Sequence, residues 1–323
     1  MKIAVIMPVG RDDTLIDCLI DGLINLDSPL HKVEFQVSSV ASLLRGIEQY
    51  VLDRRSFVEF GKGADLILLS YGKKRTDLDL AEEIGRWDRT FFIDGSEPGN
   101  NNRLDLNIQR QILNLEYSDY GAINKAMLDK CSLYFRREKP YLKGVIPLPF
   151  GIDSSYVKYK AGQRKDIDFV CIFGQDKSPP LRRYVQEELE LFCAKNGLSC
   201  HTQKTKTPDE FRRLLARARV GVSVSGGGFD TLRFWEILGN NCLLLTESID
   251  IYEPEGHNLD YKRIWQFNDL LDFRHQLERV SSHIRTEYRE DDLSEEYTLI
   301  MNKHSSVDRV QTVLSAARQK GLL

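Results

Sequence analysis

The chain has 323 residues, 41% of them hydrophobic and 29% charged, with a formal net charge of −3. That length exceeds one ordinary core and suits two domains of about 150 residues each. The composition excludes a disordered chain, and the slight acidity excludes a global basic field that would recruit nucleic acid or anionic lipid.

The opening MKIAVIMPVG stops at Pro8 and Gly10, too short an apolar stretch for a signal peptide. No apolar run approaches the roughly 18 residues of a membrane span. Six scattered cysteines (Cys18, Cys131, Cys171, Cys193, Cys200 and Cys242) form no C-x-x-C pair. A reduced, cytoplasmic protein without structural zinc is the expectation.

Short apolar strands alternate with amphipathic helices almost throughout, which argues for an α/β fold with parallel sheets covered on both faces. Lys2–Met7 is the first strand. After the Pro8–Asp13 loop, Leu15, Ile16, Leu19, Ile20 and Leu23 mark a helix by their spacing. Val33–Val37 reads as a weaker strand and Ala41–Leu52 as a helix. Ala64–Ser70 and Arg89–Ile93 read as buried strands, and Cys131–Phe135 as another behind a helix around Ile123–Asp129. Between Gly144 and Lys165 the pattern lapses in a segment with two prolines and three glycines. The junction belongs there, between an N-terminal domain of residues 1–155 and a C-terminal domain of 156–323.

The pattern then restarts. Asp166–Phe173 is a strand ending at Gly174. Ser178 and Pro179 begin a helix as N-cap and first-turn proline, and Gly197 ends it. Thr207 and Glu210 frame a capping box, behind which Phe211, Leu214, Leu215 and Ala218 form a buried stripe. Val220–Val224 is a strand, Thr231–Leu238 a short helix and Cys242–Thr246 the next strand. Helical spacing returns at Leu270, Phe273, Leu277, Val280 and Ile284, and again from Val307 to Ala317. The sum is two Rossmann-like halves.

In open parallel sheets, ligands bind beyond the carboxyl ends of the strands. Three loops of the second half lie at such ends. The first is Gly226-Gly227-Gly228-Phe229-Asp230-Thr231. Its glycines let the backbone approach a ligand, and the following helix N-terminus offers unpaired amides, a combination that suits a diphosphate. Thr231 adds a hydroxyl and Arg233 a charge-assisted contact. The competing reading is a flexible turn with Asp230 as N-cap. Arg233 and Glu236 share a helix face at i, i+3 and either pair with each other or leave Glu236 to accept from ribose hydroxyls. The second loop contains Gly174 and Lys177, with Arg182 and Arg183 in the next helix's first turns. Cations there oppose the helix dipole, a penalty that a bound anion offsets; otherwise both arginines face solvent. The third, Thr246-Glu247-Ser248, carries no assigned role.

DTLRFWEILGNNCLLL (Asp230–Leu245) resembles the donor-site signature of GT-B glycosyltransferases, above all the group that includes the CgeB-like (spore-maturation-type) transferases and the exostosin-like domain. DFVCIFG (Asp168–Gly174) with LRR (Leu181–Arg183) is similar to the opening strand and phosphate-side loop of the same domain. YFRRE (Tyr134–Glu138) with PLPFGID (Pro147–Asp153) looks like the approach to the interdomain hinge. The resemblance runs from Tyr134 to Thr246 and extends to the N-terminal half only in architecture. It implies two Rossmann-like domains facing across a cleft, with a nucleoside diphosphate-sugar donor in the C-terminal one and the last helix crossing back. Glu236 would hold the ribose and Gly226–Thr231 the diphosphate, with Arg233 and Arg182 neutralising the leaving nucleotide. Position 228 is a departure: retaining enzymes with the paired-glutamate motif carry a carboxylate eight positions before the ribose-binding one, and here that residue is Gly.

Such a site needs no cofactor besides the donor and no essential metal. Asp77-Leu78-Asp79 matches a metal-binding D-x-D but reads as a solvated helix face, and Asp166-Ile167-Asp168 opens a strand instead of following one. An inverting reaction needs a base from the N-terminal half. Asp94, ending an apolar strand, ranks first, ahead of Asp12 or Asp13; an Asp-Gly surface turn is the competing reading. Arg136 reaches either the cleft or solvent. The leading function is sugar transfer to an unidentified acceptor, with a nucleotide-sugar 2-epimerase or a non-catalytic bilobed binding protein as alternatives. No G-x-G-x-x-G follows the first strand, which argues against a dehydrogenase. A saccharide, a lipid-linked glycan, a protein or modified phage DNA is each compatible as acceptor, mild acidity arguing against nucleic acid.

Overall fold

A computed structural model describes residues 1–8, 13–26, 32–40, 46–70, 75–96, 123–138, 143–174, 180–226, 228–248, 251 and 259–323. Its first half builds β1 (Lys2–Ile6), α1 (Thr14–Ile24), β2 (Glu34–Val37), α2 (Arg54–Lys62), β3 (Leu66–Ser70), α3 (Arg75–Ile84), β4 (Thr90–Asp94), α4 (Lys125–Lys130), β5 (Leu133–Arg136) and β6 (Val145–Pro147). These strands form one parallel sheet in the order β2-β1-β3-β4-β5-β6. The second half builds β7 (Ile167–Val170), α5 (Pro180–Asn196), β8 (Cys200–His201), α6 (Pro208–Arg217), β9 (Ala218–Ser223), α7 (Leu232–Gly239), β10 (Leu243–Glu247), β11 (Ile264–Phe267), α8 (Leu270–Thr286), α9 (Ser294–His304) and α10 (Ser306–Gln319). Its parallel sheet has the order β11-β10-β9-β7-β8.

Burial on both faces explains why the strands are apolar runs without alternation. Ile3, Val5, Leu66, Leu68, Phe91 and Ile93 point into the core shared with α1, whereas Ala4, Ile6, Ile67, Leu69 and Phe92 point into a second core on the opposite face. In the second sheet Phe169, Val220, Val222, Leu243 and Leu245 meet α5 and α8, while Ile167, Ala218 and Leu244 join the shared core. The two halves are stitched by the chain's end. Ile152 N–H donates to the His304 carbonyl at 2.6 Å and Ser306 N–H to the Ile152 carbonyl at 3.0 Å. From there α10 returns to lie on α1, so close that a Cβ on Gly22 would sit 2.7 Å from Val310 Cγ2 and 2.6 Å from the Ser306 carbonyl carbon.

Several sequence expectations shift. Within the described part of Ala41–Leu52 there is one 3-10 turn, Glu48–Tyr50, because Gly46 has φ 81° and Val51 bridges to Val37. The strand expected at Cys131–Phe135 is β5, which starts at Leu133 and includes Arg136, whose side chain is fully buried. Asp77 is buried in the first turn of α3, so the solvated-face reading holds only for its exposed neighbour Asp79. Asp166 and Asp168 are tied to Arg217 and Arg219. The capping box at Thr207 and Glu210 is present as expected. Ser178, Lys177, Gly227 and Asp12 lie outside the described residues.

Candidate functional site

Each strand order contains a reversal, between β1 and β3 in the first sheet and between β7 and β9 in the second. Loops leaving neighbouring strands diverge there and open a crevice at the carboxyl ends. In the second domain, one wall is Cys171–Phe173, buried, ending at exposed Gly174, where an added side chain would meet open space. The other wall is the segment from Val224 to Thr231 that feeds α7.

Arg182, in the first turn of α5, spans the crevice. Its Nε donates to the Ser225 carbonyl at 3.1 Å and its guanidinium stacks 5.1 Å from the Phe173 ring centroid. A Cβ on Gly226 would lie 2.7 Å from Arg182 Nη2, so the glycine is what lets the cation reach the loop backbone. Arg183 points outward and pairs with Glu187 at 2.9 Å. The sequence reading of two equivalent arginines thus resolves into one crevice residue and one surface residue. Gly226 N–H donates to the Gly228 carbonyl at 2.9 Å, and Ser225 N–H donates to the buried Glu247 carboxylate at the end of β10.

The helix that follows is open at its start. Thr231 occupies the N-cap position of α7 without a side-chain capping bond, its hydroxyl lying 3.3 Å from Ser223 Oγ. By contrast, α1, α2, α6, α8 and α10 are capped by Asp13, Asp53, Thr207, Asp269 and Ser305. A helix start without a side-chain cap, following a glycine loop, is the arrangement anions use. Asp230 is not that cap. Its Oδ2 accepts from Phe150 N–H and its Oδ1 from Trp235 Nε1, both at 2.7 Å, and burial pushes its carboxyl above the usual range. With both oxygens bound to protein, Asp230 fixes the loop.

One turn along α7, Arg233 and Glu236 pair at 2.5 Å. The Arg233 guanidinium stacks 3.6 Å from the Phe211 centroid and Nε donates to the Ile172 carbonyl at 2.8 Å, so it lines the β7 wall. Burial lowers its pKa and the Glu236 charge opposes the shift. Arg212 of α6, invisible to the sequence reading, approaches the other oxygen of Glu236 at 3.4 Å. A buried carboxylate between two guanidiniums is fixed in place.

Across the cleft, the first-domain crevice holds Asp13 and Asp94. Asp94 is 1% exposed and takes hydrogen bonds from Tyr134 OH at 2.5 Å, from Arg136 and from Ser96. This carboxylate anchors Arg136 inside the sheet. Asp13 lies between the ends of β1 and β3, accepting from Leu15 N–H at 3.0 Å and Ser70 Oγ at 2.6 Å. Burial pushes its pKa up, the Ser70 and Leu15 bonds and Arg137 pull it down, and Asp94 adds a smaller rise.

No family model and no curated protein matches the sequence. Solved structures do match the fold. A glycosyltransferase from Rickettsia africae superposes with TM-score 0.61 at 8% identity, over 99% of this chain and 98% of that one. The fold is of the GT-B type. Anabaena Alr3699/HepE in complex with UDP-glucose has TM-score 0.57 at 10% identity, covering 99% of this chain and 100% of that one. Sucrose-phosphate synthase from Thermosynechococcus elongatus has TM-score 0.54 at 12% identity, covering 99% and 98%. Such low identities establish the GT-B architecture alone, and the chemistry has to be argued from this chain's residues. The resemblance to the CgeB-like and exostosin-like group finds no counterpart among these structures.

Proposed function

We propose that the protein is a glycosyltransferase that takes its sugar from a nucleoside diphosphate donor held in the second-domain crevice. The observation that carries this is Arg182 lodged against Gly226 beside the uncapped N-terminus of α7. A cation and orphan amides there would stabilise the charge that develops on a departing diphosphate. Glu236, fixed by Arg233 and Arg212, is the acceptor for ribose hydroxyls, and Thr231 supplies a hydroxyl beside the phosphates. Gly174 ends the opposite wall. With the charge met by protein groups, the reaction is proposed to need no metal. Support for uridine as the base comes from HepE, solved with UDP and with UDP-glucose.

Activation of the acceptor falls to Asp13 in this reading. Burial raises its pKa, the direction in which a carboxylate gains basicity. The acceptor would enter between the domains over Ser70 and Asp13.

The experiment is thermal shift and calorimetry with a panel of nucleoside diphosphates on the wild type, Arg182→Ala and Glu236→Gln. A ligand that binds only the folded state at a hundredfold excess over its Kd adds about 2.7 kcal/mol of stability. One diphosphate is expected to stabilise the wild type and to bind about tenfold or more weakly to each variant, a loss of about 1.4 kcal/mol. Slow release of free sugar from the matching nucleotide sugar, retained in EDTA, completes the expectation. Release of an epimerised sugar would instead mark an epimerase. If no nucleotide raises the melting temperature of the well-folded wild type, the donor site is wrong.

A further inference from the structure

Gly228 has no side chain, yet the space a side chain would fill is occupied by a carboxylate from the other domain. A Cβ on Gly228 would lie 2.6 Å from Glu138 Cδ, with Oε1 closer still. Glu138 follows β5 by two residues, so the first domain carries it across the cleft. It is 3% exposed, and its Oε1 accepts from Asp230 N–H at 2.9 Å and from Arg137 Nη2 at 3.1 Å. Arg137 stacks 4.6 Å from the Phe150 centroid, and Phe150 N–H holds Asp230 at 2.7 Å. Both domains therefore fix this carboxylate against the glycine loop.

With ribose at Glu236 and phosphates along the loop toward Arg182, the group attached to the terminal phosphate projects toward the first domain. Glu138 lies there, against the loop itself. Carboxylates accept readily from adjacent sugar hydroxyls. We propose that Glu138 is the residue that recognises the transferred sugar, a specificity-determining carboxylate supplied to the donor loop by the acceptor-side domain. The inference rests on the donor reading above. It also accounts for Gly228, since any side chain there would displace Glu138.

The test compares UDP with a panel of its conjugates (UDP-glucose, UDP-galactose, UDP-glucuronate and UDP-N-acetylglucosamine) by calorimetry on the wild type and Glu138→Gln. Gln keeps the shape and an oxygen for Asp230 N–H. Affinity for UDP is expected to stay within about twofold, while that for the best conjugate falls about 10- to 100-fold, the range produced by losing a charge-assisted hydrogen bond. Equal weakening of UDP and conjugate would make Glu138 a mere support of the loop and overturn the proposal. Tighter UDP binding in the variant would make it a competitor of phosphate and overturn it too. Should Glu138→Gln not fold, the double variant Glu138→Gly with Gly228→Glu carries the test by moving the carboxylate to the other side of the same contact. That variant is expected to retain a preference for conjugate over UDP, and its loss with UDP binding intact would refute the idea. A wild type that binds no nucleotide fails the donor reading itself, and any other result leaves that reading standing.

Discussion

Replacing Asp153 by Asn should stabilise the protein, and more so as pH rises. Asp153 sits at the hinge, 3% exposed, and accepts from Ser155 N–H at 2.7 Å to start the turn Ser154–Tyr156. Burial first, then the charge of Asp21 on α1, pushes its carboxyl from the usual 3.8 to about 6, against the Ser155 bonds and the Arg212 charge. Asp21 is itself engaged by Ser154 N–H at 2.9 Å and Ser306 Oγ at 2.5 Å, so it cannot swing away. The sign follows from linkage. Below the usual value both states are protonated and the cost is absent. As pH rises toward 6 the unfolded chain ionises first, and above 6 the folded state carries the full cost, about 3 kcal/mol for this rise. Asn removes the charge and keeps an oxygen for Ser155. The assay is urea denaturation at a series of pH values from 4 to 8. Near pH 4 wild type and variant should differ little, and the variant should gain up to about 3 kcal/mol by pH 8. Equal gain at all pH values would show that folding does not raise this carboxyl, and a loss of stability at pH 8 would show Asp153 ionised and held by Arg212; with either result the argument fails.

Two further perturbations test the seam between the halves. Gly22→Ala would force a methyl into Val310 Cγ2, 2.7 Å away, and into the Ser306 backbone, so α10 must lift from α1. Overpacking of this kind costs about 1–3 kcal/mol, and an unchanged denaturation midpoint would show that α10 yields freely. His304 lies between Tyr261 OH at 2.7 Å and Arg309 Nη2 at 3.1 Å, and burial, Arg309 and Lys303 push its pKa from 6.5 down to about 3. It stays neutral when the unfolded chain takes a proton, so stability should fall as pH drops below 6.5, by up to about 1.4 kcal/mol per pH unit. His304→Gln should flatten that acid slope, and an unaltered slope would refute the assignment.

Central strands were legible because both their faces are buried: LILLS and TFFID are short runs of five residues with every one inside the protein. The edge strands β6, β8 and β11 escaped notice. Each pairs on one side only, is two to four residues long and leaves some of its residues partly exposed, so its local pattern resembles a loop. Boundaries moved where backbone geometry outweighed hydrophobicity. Gly46 with φ 81° cannot continue a helix, which ended the one expected across Ala41–Leu52. The last helix packs on α1, a contact that no local pattern in Val307–Ala317 announces.

Within the site, what the sequence exposes is what lies close together in it. Arg233 and Glu236, three apart, meet on α7 as their spacing requires, and the glycine loop announces its helix start. The competing reading of Asp230 as an N-cap is decided within four residues, whereas one of its partners, Phe150, is 80 positions away. Asp94 reads as a base candidate because it ends a strand; the partners it has in the fold, Tyr134 and Arg136, are brought alongside by β5. Gly228 is the sharpest instance. Measured against the paired-glutamate motif it reads as a missing carboxylate. In the folded chain a residue 92 positions from Asp230 delivers a carboxylate to the same loop, and it fits there only because position 228 has no side chain. A lost function and a relocated one look identical in the linear sequence, and the packing of Glu138 against Gly228 favours relocation.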